Sequence, residues 1–478
     1  MAPAAHRMSK VDTAWLRMDT DANLMMIHGI WFIRPGITLE ALRERVAQRL
    51  LQYPRFRQKV VEDALGAQWV EDEAFDITHH VQLEPARPRR GRAGAWTEKA
   101  LQQRVAELAS TPLDPARPLW QMHLVQDLDG ASALIARLHH CIADGIALIA
   151  VMLSITDGGK PPPARRQREA QLSEPDWLSD ALLKPITGLT VKAIGMAGSG
   201  VAKSVDLMLH PEQPLDVSVQ AAKLGYQMVS DVAALALMGD DSPTRLKGKP
   251  GPGKRVAWGH RLPLDAVKAV GKAMGVSVND VLLSCVAGAL GGYLRAQGDE
   301  VDGKEIRAMV PVNLRPMERV YQLGNRFGLV PLLLPIGIDN PVKRLYAVHA
   351  RMQELKGSLQ PVLAFGLLSA AGLLIKPVQH AMLNIFARKA TAVMTNVPGP
   401  AEPLKFCGST VERVMFWVPQ SGDIGVGVSI LTYAGQVEFG LITDAGLCPD
   451  PQAVVDRFEP EFRKLLMLSL MLPWEERV

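Results

Sequence analysis

The sequence predicts an α/β fold of two matching lobes, each a sheet sandwiched with helices, packed side by side. Three observations carry this. At 478 residues the chain exceeds one ordinary hydrophobic core, so two lobes are the default. Its apolar segments alternate between short strand-like runs and stretches of helical period. The half that follows a Pro/Gly-rich break at residues 247–254 echoes the first half in architecture, with no repeat at the level of individual residues.

The elements follow in order. Residues 12–18 open the chain and 24–33 form an apolar strand. Leu39, Leu42, Val46 and Leu50 then mark one helix face. His79-His80 end a strand that follows 75–78. Residues 118–125 form a strand, hairpinned through Asp129-Gly130 into the apolar strand 133–138, with a helix at 146–153. Pro161-Pro162-Pro163 begins a linker, followed by two helical stretches, one around Ile194 to Leu209 and one around Tyr226 to Leu237. The second lobe reads as strand 256–261, a helix from Leu264, and an apolar helix 281–290 capped by Asn279-Asp280. Strands 306–312 and 329–336 follow, then strand and turn at 392–400. A hairpin joins 426–433 to 436–442 over Ala434-Gly435, and the chain ends in a helix at 465–472. The expected division is a first lobe at 8–158, a linker with helical segments at 159–254, and a second lobe at 255–478.

Composition narrows the function classes. A hydrophobic content of 48% with 21% charged residues excludes wholesale disorder. Net charge is +4 with no long basic tract, so nucleic acid is not an expected partner. The four cysteines, Cys141, Cys285, Cys407 and Cys448, show no CxxC spacing. A metal site is therefore not expected, and a reduced cytoplasmic setting is. The N-terminus is polar where a signal peptide would carry an apolar core. The strongest apolar stretch, 361–375, is broken by Gly366, Ser369 and Gly372 and falls short of the ~20 residues a spanning helix needs.

The chemistry concentrates in His139-His140-Cys141-Ile142-Ala143-Asp144-Gly145, an HHxxxDG motif between a strand and a helix. Imidazole titrates near neutral pH and can take and return a proton, so a histidine held at a strand end suits general-base work. Asp144 can return toward the strand, and Gly145 permits close backbone approach. A satisfied core histidine pair is the bland reading, and the acid and glycine at fixed spacing weigh against it. His79-His80 has no such Asp-Gly and reads as non-catalytic.

HHxxxDG together with Pro118-Leu119-Trp120, Asn279-Asp280-Val281-Leu282-Leu283 and Thr395-Asn396-Val397-Pro398-Gly399-Pro400 resembles the bacterial wax ester synthase/diacylglycerol acyltransferase family. That family is part of the chloramphenicol acetyltransferase-like superfamily of CoA-dependent acyltransferases. Ser9-Lys10-Val11-Asp12 and Met26-Ile27-His28-Gly29 also fit, and the resemblance covers nearly the whole chain in order. The departures are Met26-Ile27 before His28, and Thr395 where serine is common in the family.

The resemblance implies chloramphenicol acetyltransferase-like lobes with an active-site tunnel at their junction. It implies transfer of an acyl group from long-chain acyl-CoA, a substrate, to diacylglycerol or a long-chain alcohol, with no cofactor. His140 would be the general base, without an acyl-enzyme, and His139 would face the other side of the strand as a structural residue. Asp144 would pair with Arg315 from the second lobe, Arg137 being the rival partner. Asn279, Asp280, Thr395 and Asn396 are candidates for substrate or oxyanion contacts; capping for Asn279 and a strand-end turn for Thr395-Asn396 stand beside that. Pro118, Leu119 and Trp120 pack or wall the tunnel. Arg87, Arg89, Arg90, Arg92 and the basic loop 245–255 meet CoA phosphates or anionic lipid, or are solvated charged surface, the reading favoured for each. Peripheral attachment to the inner face of the plasma membrane or to lipid inclusions is expected from the apolar, Lys/Arg-studded regions 179–239 and 361–390. Two other readings stay open: a same-fold acyltransferase for another acceptor (a lipid diol or an amine), and a non-catalytic lipid-binding scaffold.

Overall fold

A computed structural model describes residues 6–63, 66–89, 92–159, 239–313, 323–325, 327–356 and 389–471. In chain order the main elements begin with α1 (Lys10–Arg17), β1 (Met26–Arg34), α2 (Leu39–Arg49) and β2 (Val81–Leu83). Next come α3 (Glu98–Ala109), β3 (Trp120–Leu128), β4 (Ala131–His139) and α4 (Gly145–Ser154). The second half holds β5 (Lys254–Trp258), α5 (Leu264–Met274), α6 (Val278–Ala296), β6 (Ile306–Asn313), β7 (Phe327–Leu334) and α7 (Pro341–Lys356). It closes with β8 (Ala392–Pro398), β9 (Lys405–Phe406), β10 (Ser409–Trp417), β11 (Val426–Tyr433), β12 (Gln436–Asp444) and α8 (Pro451–Leu470).

Two mixed sheets form the lobes. The first runs β9-β10-β1-β4-β3-β2 and the second β5-β12-β11-β8-β6-β7, with the short strand Leu262–Pro263 beside β12. β3 and β4 join over Asp129 and Gly130, and β11 and β12 over Ala434 and Gly435. All four residues have positive φ, as a tight two-residue hairpin requires. β4 is buried at every position, consistent with a central strand covered on both faces.

The division at 255–478 does not survive in space. β9 and β10 lie in the second half of the chain, yet β10 pairs antiparallel with β1 and completes the first sheet. The sequence predicts no strand here, and chain order alone assigns these residues to the second lobe; alternation of Val411, Met415 and Trp417 makes a strand without naming its neighbour. This crossover locks the lobes together. A buried cluster containing Ile30 and Ile135 of the first sheet and Trp258 and Ile442 of the second fills the space between them.

The second sheet is split near the junction. Parallel β6 and β8 pair only at Ala308↔Ala392 and Met309↔Val393, although β6–β7 pairing continues to Asn313 and β8–β11 pairing to Pro398. Two residues after Met309 comes Pro311, which has no N–H to give a ladder. The helical stretches expected within 160–238 and the 361–375 segment lie outside the described residues. Among the described residues, no single helix is long and apolar enough to cross a membrane.

Candidate active site

His140 directly follows β4. Its N–H donates to the Met25 carbonyl (2.7 Å), and the N–H of His139 donates to Leu119 (2.9 Å), so the strand end is clamped from both sides. The two histidines then diverge. His139 receives the Cys141 N–H at Nδ1 (3.1 Å), and the Asp19 carboxylate lies 3.3 Å from its Nε2. An acceptor role at Nδ1 puts the ring proton on Nε2, facing Asp19.

His140 is 3% exposed and faces aromatic rings from elsewhere in the chain. Trp15, on α1, stacks on it with centroids 4.2 Å apart and planes 14° from parallel. Phe327, at the start of β7 in the second lobe, lies tilted at 5.4 Å. Burial lowers the His140 pKa to about 4; its own carbonyl and the Asn325 side chain pull the other way without overcoming it. At neutral pH the ring is therefore uncharged and can accept a proton.

A polar network frames this ring. Asn325, between β6 and β7, donates through Nδ2 to the His140 carbonyl (2.8 Å) and to Asp12 Oδ1 (2.8 Å); its backbone N–H also reaches Asp12 (3.1 Å). Asp12 is fully buried and forms an ion pair with Arg55 at 3.1 Å. Arg55 in turn donates to the Ile142 carbonyl inside the motif (2.6 Å). Ser9 caps α1 by accepting from the Asp12 N–H (3.1 Å), which fixes the turn that carries Trp15. Trp15, Asn325, Asp12, Arg55 and Phe327 were not picked out individually as site residues. Asp12 and Trp15 sit three apart on one helix face, a weak signal available in the sequence. Asn325 and Phe327 carried none.

Asp144 caps α4, accepting from the Ala147 N–H (2.9 Å), and its own N–H donates to Gly324 of the second lobe (3.1 Å). Arg315 lies outside the described residues. The rival Arg137 turns elsewhere: its guanidinium donates to Gln121 and to the carbonyls of Leu108 and Thr111. Gly145 differs from expectation. Among the described residues, no atom lies within 4 Å of where its Cβ would stand, and none supplies the close backbone expected there.

The remaining candidates separate. Asn396 Nδ2 donates to Asn279 Oδ1, joining β8 to α6, and no hydrogen bond or ring contact among the described residues links either to His140. Asn279 is not the cap of its helix; Ser277 is, in a capping box with Asp280. Asp280 also takes the His349 ring nitrogen at 2.8 Å, so it is a structural acid and not an oxyanion contact. Thr395 is buried on β8, its hydroxyl 3.4 Å from the Val428 carbonyl. Trp120 is fully buried, stacks on His80 at 4.5 Å and donates to the Phe56 carbonyl (2.9 Å). Together with buried Pro118 and Leu119 it packs in the first lobe's core. His80, expected at a strand end, lies in the one-turn helix Ile77–His80 and bonds the Trp120 carbonyl (2.8 Å). In the basic loop Lys254 is buried against Asn23, while Arg245, paired with Asp299, and Lys249 and Arg255 are exposed.

The wax ester synthase/diacylglycerol acyltransferase catalytic-domain model matches residues 8–282, and the C-terminal-domain model of the same family matches 323–466. The chain belongs to this family. It is an acyltransferase. Among curated proteins it is 26% identical to the "Probable diacyglycerol O-acyltransferase tgs1" of Mycobacterium tuberculosis strain H37Rv, over 97% of this chain and 96% of that one. The wax ester synthase/diacylglycerol acyltransferase from Marinobacter aquaeolei VT8 superposes with a TM-score of 0.64 at 20% identity, covering 97% of this chain and 100% of that chain. The first condensation domain of the CDA synthetase shares the fold at a TM-score of 0.55 and 13% identity, with 98% and 97% coverage. Both lobes of this acyltransferase therefore follow the chloramphenicol acetyltransferase-like plan.

Proposed function

We propose that this protein transfers the acyl group of a long-chain acyl-CoA to the hydroxyl of diacylglycerol or a long-chain alcohol, with His140 as general base. The observation that carries the base assignment is His140 itself: an uncharged, buried imidazole at the seam of the two lobes, clamped through its backbone and facing aromatic rings from both. The alcohol O–H proton passes to His140 as its oxygen bonds to the thioester carbon. The tetrahedral intermediate then re-forms the carbonyl, breaks the C–S bond, and the imidazolium returns the proton to sulfur. Both substrates are present together, so no acyl-enzyme is required.

A pKa near 4 describes the ring without substrate. In the reaction the imidazolium forms beside a new negative charge, so burial strengthens their attraction while it penalises the lone cation. The stacked Trp15 face adds cation–π stabilisation to the same species. Nothing among the described residues crowds Gly145, which is consistent with room for a substrate beside the motif.

The acceptors are water-insoluble, which supports working in peripheral contact with a membrane or lipid inclusion on its cytoplasmic side. Thiol release from palmitoyl-CoA, with hexadecanol, diacylglycerol or an amine as acceptor, tests the reading. Turnover with either hydroxyl acceptor is expected, and His140→Ala should lose a factor of ~10²–10⁴ with the fold retained. Turnover with the amine alone, or a fully active His140→Ala, would overturn it.

A further inference from the structure

The site contains a buried donor that the mechanism above leaves without a task. Trp15 is 4% exposed, and its indole N–H has no hydrogen-bond partner among the described residues. The indole N–H groups of Trp69 and Trp417 are also unpartnered. Trp69, however, lies under the Arg55 guanidinium, and Trp417 lies against Trp258 between the sheets. Trp15 alone of the three is stacked on His140.

A donor sealed from water without an acceptor destabilises a fold, so its retention beside a reacting group points to an acceptor that arrives with the substrate. The reaction supplies one. The oxygen under attack and the attacking oxygen are bonded to the same tetrahedral carbon, so the base for one and the donor for the other must lie within a few ångströms. A stacked pair with centroids 4.2 Å apart meets that condition. Its mounting is rigid: α1 is held by the Ser9 cap, the Asp12–Arg55 ion pair and the Asn325 bonds, and Phe327 stacks on Trp15 at 5.6 Å. The Asn396 amide, expected as a donor, gives one of its two N–H groups to Asn279, and no hydrogen bond among the described residues links it to His140.

We propose that the Trp15 indole N–H donates to the thioester carbonyl oxygen and stabilises its charge in the tetrahedral intermediate. This rests on His140 acting as the base. As the alcohol oxygen bonds to the carbon, its proton goes to His140 and the carbonyl π electrons move onto the oxygen that Trp15 holds. On collapse those electrons re-form C=O, the C–S bond breaks, and the proton returns to the thiolate of CoA.

The test compares Trp15→Phe, and replacement of Trp15 by β-(3-benzothienyl)alanine, with the parent enzyme. The second keeps the ring shape without the N–H and guards against a packing defect in the first. Steady-state kinetics with palmitoyl-CoA and hexadecanol are read together with binding of a trifluoromethyl ketone analogue of the thioester, which takes up water to give a tetrahedral hydrate with an acidic hydroxyl where the intermediate carries its oxyanion. Loss of one such donor should lower kcat by ~10²-fold and weaken the analogue by a similar factor. KM should stay within about twofold, since substrate and intermediate differ mainly in that charge. A benzothienyl variant with kcat within threefold of the parent, or with loss in KM alone, would overturn the proposal. His140→Ala is run in parallel. If it stays active, the base assignment is wrong and the donor placed by its stacking on that ring falls with it; if it is dead while the Trp15 variants stay active, the donor alone is wrong.

Discussion

Replacing Asn325 by alanine removes one side chain that ties two parts of the site together. Its amide reaches the carboxylate of Asp12 and the carbonyl of His140, each at 2.8 Å. Asp12 is fully buried, so the lost bond is charge-assisted and no water replaces it; such a bond contributes ~1.5–3 kcal/mol, and the neutral bond to His140 ~1 kcal/mol. The expected loss is about 3 kcal/mol, a large share of the ~5–15 kcal/mol that holds a domain folded. Activity should fall further than stability alone requires, because the carbonyl next to the reacting ring loses its anchor, and a 1 Å misplacement can cost ~10²-fold. Urea unfolding gives the stability term, provided the slope is unchanged. Thiol release at a temperature where both proteins are folded gives the rate. Asn325→Asp should be worse than alanine, since it sets a second buried carboxylate against Asp12. An Asn325→Ala enzyme within ~0.5 kcal/mol of the parent in stability, and unchanged in rate, would refute the view that this residue couples the second lobe to the base.

Three other outcomes are expected. The acid limb of kcat/KM should fall near pH 4 and not near the ordinary histidine value of 6.5, because burial lowers the His140 pKa and the base form persists as pH drops; a limb near 6.5 would contradict this. Stability should decline over the same interval. His140 and the buried His28, lowered to about 3, take up protons below pH ~6.5 only in the unfolded chain, so stability present above that pH is lost on acidification; denaturation midpoints from pH 7 to 4.5 check the sign. Asp144→Ala should cost ~1 kcal/mol for the lost α4 cap and more if it also breaks a pair with Arg315; Arg315→Ala and the double variant, measured by urea unfolding, decide between the two, since only a direct pair makes the double cost less than the sum. High salt or carbonate should release the protein from membranes, and resistance to both would count against peripheral attachment.

The sequence by itself determined the acyltransferase class and many of the local elements. HHxxxDG between an apolar strand and a helix marked the candidate base, because the histidine, the capping aspartate and the helix start lie close together in the chain. The hairpins over Asp129-Gly130 and Ala434-Gly435 were legible for the same reason: residues that accept positive φ are written at the turn. What the tertiary structure decided is everything assembled from distant segments. Nothing in the alternation of 409–417 says that it pairs with β1, nothing around Asn325 says that it bonds His140, and nothing in α1 says that Trp15 covers the reacting ring. The oxyanion candidates failed to gather at His140 for a related reason. Asn279, Asp280 and Thr395 look like site residues one at a time, but capping, ion pairing and strand burial use their polar atoms within the second lobe. Local sequence sets a residue's capacity to donate, accept or pack, while the partner that uses that capacity is fixed by which segments the folded cores bring within a few ångströms.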